Sequence, residues 1–344
     1  MFSRKALVYL ALLCGLLTII AYPRFNRQDM GALKAHTSTE HSSTDLRSKM
    51  SDAGKYADMV SYFRGEIELS KLEVPWTYRP VVPYLASWLP FAPQTSVNIL
   101  NEVSLMAAMI LAYAFMVLIG VGFKARILAC ALFVISFPTF YYGAIGYIDP
   151  VFLLFIAIAL HLIVKQQWIA FCVLTVLASG IKESAGLVLL PAAAYLWVSK
   201  QLFWKKEILL AATVVAYIIA YKLFQNWLLG SQDYTGWNVS MEYVHRNLGR
   251  VRSWASILLV FGPVGVLGLL AVKVAPASIK SKRPEMAALY GGFAAGMLLS
   301  VYSMIGSIAD GRSIWTIYPF AIPLAGITLH AWFARRAKGT SEAA

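Results

Sequence analysis

The sequence predicts an all-α membrane protein, a polytopic bundle of transmembrane helices, and three observations support this prediction. Hydrophobic residues make up 59% of the 344 residues and charged residues only 14%, whereas soluble domains are about one quarter charged. Apolar stretches of roughly the length needed to cross a membrane recur along the whole chain, about ten in all. Since unpaired backbone groups are costly in lipid, each stretch is predicted to be a helix.

The first predicted span, 6–22, follows the basic residues Arg4 and Lys5. This arrangement is also typical of a signal peptide, but no small-x-small cleavage site follows, so we predict an uncleaved first helix. The later predicted spans are 98–121, 127–145, 150–164, 168–180, 185–199, 208–224, 256–273, 286–305 and 314–333.

These spans give a single transmembrane domain, 1–344, with two long polar insertions. The segment 1–22 contains the first span and leads into an outer loop, 23–97. The remaining parts are the core spans in 98–224, a second outer loop in 225–255, and the C-terminal spans with a short cytoplasmic tail in 256–344.

The basic residues indicate which side of the membrane each connection faces. With the N-terminus inside, the inner connections carry most of the bases, including Lys124, Lys165 and Lys206, and the short outer connections carry few. Both termini are therefore predicted to be cytoplasmic, with 23–97 and 225–255 outside, as in an integral protein of a bacterial inner membrane. The net charge of +13 does not indicate nucleic-acid binding, because the bases are dispersed among connections that meet membrane lipids.

The outer loop 23–97 contains a polar insert followed by two amphipathic segments. The insert, 35–51, is rich in Ser, Thr and His and is predicted to be flexible. Apolar residues then recur at helical spacing in two segments, first at Tyr56, Met59, Val60 and Phe63, and then at Tyr84, Leu85, Trp88 and Leu89. Both segments are too short to span, so we predict two interfacial helices on the outer membrane surface.

Two acids of the first amphipathic segment are candidates for catalysis. Asp52 lies at its start, where a carboxylate could deprotonate a hydroxyl group as a general base. Asp is also a common helix N-cap, which is the simpler interpretation of the same residue. Asp58 lies on the same segment and is a second candidate for the base. The simpler interpretation is that Asp58 is a charged residue on the solvated face of the helix.

Further charged residues lie at predicted outer ends of helices. Asp149 precedes Pro150 and an apolar helix, so it is either an N-cap or a second carboxylate for binding substrate or a metal ion. Lys182 and Glu183 interrupt a long apolar region, where ionisable groups are costly unless they are paired or functional. Either the two residues form a turn exposed to water, or Lys182 binds a phosphate group, for which its compact positive charge is suited.

Two arginines are candidates for binding phosphate at the same membrane face. Arg79 follows Tyr78 in a proline-rich stretch that is extended or turning, and its side chain either binds phosphate or anchors to lipid headgroups. Arg312 follows Asp310 and Gly311, which offer either an outer acid–base pair or a turn closed by glycine.

The order of these motifs resembles the GT-C superfamily of polytopic glycosyltransferases, which includes the lipid A aminoarabinose transferase and the protein O-mannosyltransferases. Residues 52–58, DAGKYAD, are similar to that family's acidic motif in the first outer loop, with alanine where a second acid is common. Residues 149–155, DPVFLLF, resemble its second acidic loop, and residues 179–184, SGIKES, resemble its lysine element with Glu where Gly is usual. Residues 310–312, DGR, before a Tyr-Pro pair at 318–319 resemble late elements of bacterial members.

The resemblance implies an enzyme, an inverting glycosyltransferase that moves a sugar from a polyprenyl-phosphate donor to a glycan, lipid or protein acceptor on the outer face of the membrane. Asp52 would be the general base, with Asp29 and Asp58 as the other candidates. Lys182, Arg79 and Arg312 would balance the negative charge of the leaving phosphate. The other residues implied in substrate binding are Asp149, Glu183, Tyr56 and Tyr78. No cofactor is certain, and a divalent cation, if one is used, would be held by Asp149.

Two other classes of protein stay open from the sequence. A transporter or flippase of lipid-linked sugars predicts polar or broken helices at mid-membrane depth and often a paired repeat, and neither pattern is visible. A non-catalytic membrane scaffold would keep the same fold without the chemistry. The sequence contains no P-loop, no Rossmann glycine pattern and no paired cysteine spacing that would indicate a nucleotide site or a zinc site.

Overall fold

The computed structural model describes residues 2–37, 52–143, 145–200, 204–228, 240–306 and 311–342. Within these ranges every regular element is a helix, which confirms the predicted all-α class. Most of the predicted flexible insert, 35–51, lies outside the described residues, as does Asp310. Asp29 lies in a helical stretch whose side chains are also outside the described part of the chain.

The helices fall into three consecutive groups. The first group consists of α1 (Arg4–Thr37), α2 (Asp52–Phe63), α3 (Val81–Ser87), α4 (Pro93–Leu118), α5 (Phe123–Ile135) and α6 (Phe137–Tyr142). The second consists of α7 (Asp149–Val164), α8 (Trp168–Ala178), α9 (Leu189–Val198) and α10 (Trp204–Trp227). The third consists of α11 (Met241–Leu248), α12 (Val251–Val274), α13 (Ala277–Lys280), α14 (Arg283–Gly306), α15 (Arg312–Trp315) and α16 (Tyr318–Glu342). Short 3-10 turns lie at Leu69–Lys71, Trp76–Tyr78 and Glu183–Val188.

Within the described residues, each predicted span coincides with one helix or with two consecutive ones, and five helices are long and apolar enough to cross a membrane. These five are Arg4–Pro23, Pro93–Leu118, Lys205–Trp227, Val251–Val274 and Arg283–Ile305. The apolar helices Asp149–Val164, Trp168–Ala178 and Glu183–Val198 are shorter. Length and composition therefore agree with a membrane protein. A helix as short as α8 extends only about 16 Å, against about 30 Å of hydrocarbon, so the number of ten crossings stays a prediction.

One of the five long helices, α12, contains a break that the sequence interpretation did not include. Gly262 has a φ of 44°, outside the helical region, and Pro263 follows it without an N–H group. Close to this break, the buried hydroxyl of Tyr318 on α16 donates a hydrogen bond to the carbonyl oxygen of Val260 over 2.7 Å. The break is therefore stabilised by the neighbouring helix and carries no charged side chain.

The two short helices of the outer loop differ in what their apolar faces contact. In α2 the predicted apolar stripe is turned into the protein, where Tyr56, Met59 and Val60 are almost completely buried. In α3 the predicted stripe is exposed instead, and the exposed fraction reaches 43% at Tyr84 and 69% at Trp88 just beyond the helix. Of the two helices, only α3 therefore presents an apolar face that could lie on a membrane, whereas the apolar face of α2 packs against the protein core.

The outer loop is fixed to the helical core by backbone and arginine hydrogen bonds. The Arg64 guanidinium, just after α2, donates to the carbonyl oxygen of Leu89 over 2.6 Å and to the Ser96 hydroxyl over 3.0 Å. The backbone N–H of Val81 donates to the carbonyl oxygen of Gly180 over 3.2 Å. These contacts hold the loop against the ends of α4 and α8, and so place its polar residues beside the connections between the core helices.

Candidate active site

Three ion pairs lie together at the ends of the core helices, and we call them the ionic cluster. The pairs are Asp52 with Arg312, Asp149 with Lys182, and Glu183 with Arg79. Each carboxylate has one basic partner, so the cluster is electrically balanced within itself. The partners come from the outer loop, from the connections before α7 and after α8, and from the segment before α16.

The Asp52–Arg312 pair is the most open of the three. Nη1 of Arg312 donates to Oδ2 of Asp52 over 2.8 Å, and the two side chains are 27% and 30% exposed. The Arg312 guanidinium also lies over the ring of Tyr147, 4.2 Å from its centroid. A cation held against an aromatic face keeps a defined orientation. Asp52 therefore has a fixed basic neighbour and remains accessible to a substrate.

The Asp149–Lys182 pair lies deeper in the protein. Nζ of Lys182 donates to Oδ1 of Asp149 over 2.6 Å, and the two side chains are 16% and 7% exposed. Asp149 is the first residue of α7, and the N-cap position belongs to Ile148, so the N-cap interpretation of Asp149 is wrong. Lys182 is only slightly exposed, which also rules out the interpretation of this position as a turn open to water.

The Glu183–Arg79 pair is bidentate and includes a tyrosine. Nε and Nη2 of Arg79 donate to the two carboxylate oxygens of Glu183 over 2.7 and 2.5 Å, and Nη1 donates to the hydroxyl oxygen of Tyr56 over 2.8 Å. The hydroxyl of Tyr217 on α10 donates to the backbone oxygen of Glu183 over 2.7 Å. Paired donors in this fork geometry fix both distance and angle. Arg79 therefore serves the protein rather than an exposed lipid headgroup.

The surroundings of these residues set their protonation. Burial is the largest effect on the pKa of Glu183 and would raise it, but the charge and hydrogen bonds of Arg79, the charge of Lys182 and a backbone hydrogen bond together hold this pKa below its usual range. Burial raises the pKa of Tyr56, and the opposing effect of Arg79 is smaller. At neutral pH Glu183 is therefore ionised, and Tyr56 keeps its proton.

A tight turn before α7 brings Tyr147 and Asp149 close to α2. Gly146 has a φ of +74°, and a Cβ atom there would lie 1.9 Å from Nε2 of Gln94 and 3.1 Å from Cβ of Ala53. Only glycine fits both the backbone angle and the space. The same contact leaves little room for a larger side chain at Ala53, which is 7% exposed.

Most of the residues predicted from the sequence meet in or beside the ionic cluster. They are Asp52, Tyr56, Arg79, Asp149, Lys182, Glu183 and Arg312. Tyr78 is buried next to Arg79 in the 3-10 turn. Asp58 is half-buried, and six helical residues rotate it by about 240° from Asp52, so it leaves the side that faces the cluster. The position of the Asp29 side chain lies outside the described residues.

Sequence reasoning missed two tyrosines that support the cluster. Tyr147, under Arg312, lies in the same short segment as Asp149, and an aromatic residue beside a candidate acid was a usable signal. Tyr217 lies in the middle of the apolar helix α10, where nothing in the local pattern distinguishes it from a membrane-facing aromatic residue.

The described residues do not form a metal site in this arrangement. Within the described ranges, no group of three or more His, Cys, Asp or Glu side chains is placed to hold a metal ion. The Asp149 carboxylate is bound by Lys182 instead.

Comparison with known proteins gives no match to a family model, to a curated protein or to a solved structure. The ionic cluster is therefore interpreted from its own geometry and chemistry.

Proposed function

We propose that the protein is an inverting glycosyltransferase that moves a sugar from a polyprenyl-phosphate donor to an acceptor on the outer side of a membrane. The observation that carries this proposal is the ionic cluster, in which an accessible carboxylate, Asp52, is paired with Arg312 and shares the cluster with two further cations, Lys182 and Arg79. A general base beside fixed cations is the arrangement that displacement of a phosphate leaving group needs.

The proposed reaction is a single displacement at the anomeric carbon of the sugar. The acceptor oxygen forms a bond to that carbon while its proton passes to the Asp52 carboxylate. The bond from the anomeric carbon to the phosphate oxygen breaks, and the polyprenyl phosphate leaves with the electron pair. Lys182 and Arg312 stabilise the negative charge of the leaving phosphate. To do so they give up part of their contact with Asp149 and Asp52.

The proposal of a lipid-linked donor draws on an apolar surface beside Lys182. Phe152, whose ring centroid lies 5.3 Å from Nζ of Lys182, is one of its lining residues. The other lining residues are Ile156, Leu187, Val188, Gly292, Ala295, Gly296, Thr316 and Phe320. A lipid with a charged end needs a cationic group next to an apolar surface, and this part of the protein offers both.

The finer membrane arrangement belongs to the same proposal. The chain crosses a bacterial inner membrane about ten times with both termini in the cytoplasm, so that 23–97, 225–255 and the ionic cluster face outside. Its partners are then the polyprenyl-phosphate sugar, the surrounding lipids and a glycan, lipid or protein acceptor.

The proposal is tested by Asp52→Asn, which keeps the size of the side chain and removes its ability to accept a proton. Full-length protein in lipid vesicles is supplied with radiolabelled polyprenyl-phosphate sugars and an envelope extract as the source of acceptor. We expect sugar transfer to fall by about a hundredfold or more, since a general base contributes about 10²–10⁴ to rate. Asp58→Asn, in the same helix but turned away from the cluster, is the matched control and should keep most of the activity.

Equal transfer by Asp52→Asn and the unchanged protein would contradict the assignment of the base. Movement of the intact labelled lipid across the vesicle membrane, without release of polyprenyl phosphate, would indicate a transporter or flippase instead. Donor binding with neither transfer nor movement, across all donors tested, would favour the non-catalytic scaffold.

A further inference from the structure

A second pocket, with a few polar side chains in an apolar lining, lies between α1 and α4 and includes no residue of the ionic cluster. Its lining residues are Leu17, Ile20, Ala21, Asn98, Glu102, Leu105, Val134, Thr139 and Gly143. Asn98, Glu102 and Leu105 follow one another at i, i+4 and i+7, so they share one face of α4. This face combines an amide and a carboxylate with an otherwise apolar wall.

Two polar side chains of this pocket have no partner among the described residues, whereas the Thr139 hydroxyl is hydrogen-bonded to that of Ser136 over 3.1 Å. Asn98 is only 1% exposed, yet within the described part of the chain neither its Nδ2 nor its Oδ1 has a hydrogen-bond partner. Glu102 likewise has no ion-pair or hydrogen-bond partner among the described residues. Burying an amide without a partner costs about 1–3 kcal/mol. Both groups are therefore available to a ligand.

The charge of the pocket selects the kind of ligand. Among the described residues that line the pocket only Glu102 carries a charge, so this lining attracts a cation and repels phosphate. The two oxygens of the Glu102 carboxylate and Oδ1 of Asn98 provide three acceptors, and the Thr139 hydroxyl, already bonded to Ser136, also lines the pocket. A primary ammonium group has three N–H donors on a compact charge, which match these acceptors in number.

The position of the pocket along the helices matches the headgroup region of a membrane. Asn98 begins the predicted span 98–121, and Leu17 to Ala21 end the predicted span 6–22. One helical turn from Asn98 to Glu102 adds about 6 Å of depth. The Glu102 carboxylate thus lies just inside the interface, at the level where the ammonium groups of lipid headgroups occur. Beside it, Ile20 and Ala21 of the first helix are partly exposed.

We propose that the pocket formed by Asn98, Glu102 and Thr139 binds a small monovalent cation of the ammonium class, supplied by the headgroup of an amine-bearing lipid. The second possible source of such a charge is an inorganic ion such as Na⁺, which the same oxygen atoms could hold. This site does not depend on sugar transfer, because its residues lie outside the ionic cluster.

The test compares three lipids that differ in their headgroups. Purified full-length protein is mixed with equal amounts of phosphatidylethanolamine, phosphatidylcholine and phosphatidylglycerol, and the retained lipids are counted by native mass spectrometry. We expect phosphatidylethanolamine to be retained about tenfold better than phosphatidylcholine, since the quaternary ammonium of the latter has no N–H donor, and a charge-assisted hydrogen bond is worth about a factor of ten or more. Phosphatidylglycerol should be retained least.

Glu102→Gln should remove this preference, because it keeps the shape of the side chain and removes its charge. Glu242→Gln is the matched control, since Glu242 is an exposed carboxylate in the first turn of α11. In a separate arm, the thermal unfolding midpoint is measured in sodium chloride and in choline chloride at equal ionic strength. Stabilisation by sodium that Glu102→Gln abolishes, without lipid preference, identifies the inorganic ion as the source of the cation.

Two results would overturn the proposal. One is an unchanged protein that shows neither a preference for phosphatidylethanolamine over phosphatidylcholine nor specific stabilisation by sodium. The other is a preference that persists in Glu102→Gln, which would place the lipid elsewhere on the protein. If Glu102→Gln does not fold, the lipid and salt comparisons on the unchanged protein still decide the first question.

Discussion

At the scale of single residues, Arg79 is the side chain whose loss should destabilise the protein most within the ionic cluster. It supplies both hydrogen bonds to the Glu183 carboxylate and one to Tyr56. Arg79→Met leaves the Glu183 carboxylate without its partner. Because Glu183 keeps 34% exposure, we expect a loss of about 2 kcal/mol, below the value for a fully buried pair. The unfolding midpoint in detergent, by heat or denaturant, measures this loss.

A double variant and an exposed pair serve as controls for this prediction. Arg79→Met with Glu183→Leu removes both charges and should recover part of the stability, since replacing a whole buried pair costs less than breaking it. Lys55→Met breaks the pair with Glu73, which is 53% exposed, and should cost less than about 1 kcal/mol. Equal losses of stability in Arg79→Met and Lys55→Met would show that the bidentate pair stabilises the protein no more than the exposed pair does.

At the scale of elements, the turn between α6 and α7 determines whether the ionic cluster assembles. Gly146→Ala places a methyl group against Gln94 and Ala53 and also forces a residue other than glycine to a φ of +74°. We expect the turn to move away from α2, and Tyr147 with it, so that the Asp52–Arg312 pair loosens. The expected cost is about 2 kcal/mol of stability. Sugar transfer, measured as for Asp52→Asn, should fall as well.

Gly120→Ala separates the backbone effect from the steric one. Gly120 has a φ of +83°, but a Cβ atom there would have no neighbour within 4 Å. This variant should therefore lose about 1 kcal/mol through backbone strain and should keep its activity. If the two variants lose equal activity, the contact of Gly146 with Ala53 does not control the cluster.

At the scale of the whole molecule, the positions of the helices follow from the sequence, whereas the directions of their faces do not. Long apolar runs show where the backbone must pair its own polar groups in a helix, and each predicted span is helical over most of its described residues. The apolar stripe of α2 was also visible, but periodicity does not tell whether a face meets lipid or protein. Tyr56 and Met59 face the protein because Arg64 and the backbone of Val81 fix the loop against the core.

The membership of the ionic cluster was largely predictable, but its pairing was not. An acid or a base in an apolar chain is expensive, so Asp149 and Lys182 were conspicuous in the sequence. The partners are separated by 33, 104 and 260 residues along the chain, and no local pattern connects positions so far apart. Pairing depends on how the helices pack, and on glycines such as Gly146 that allow two backbone segments to approach.

The side of the membrane on which the ionic cluster lies determines from which side substrates must reach it. Labelling of single introduced cysteines tests this sidedness. In a background with the native Cys14, Cys130 and Cys172 replaced by alanine, one cysteine is introduced at the exposed positions Glu68 or Lys124. The helix α4 separates the two positions, and the charge distribution predicts that Lys124 lies inside. A membrane-impermeant maleimide should therefore label the cysteine at position 68 on intact cells. It should label the cysteine at position 124 only after the cells are permeabilised. Labelling of both positions from outside would mean that α4 does not cross the membrane, and labelling of 124 alone would place the ionic cluster in the cytoplasm.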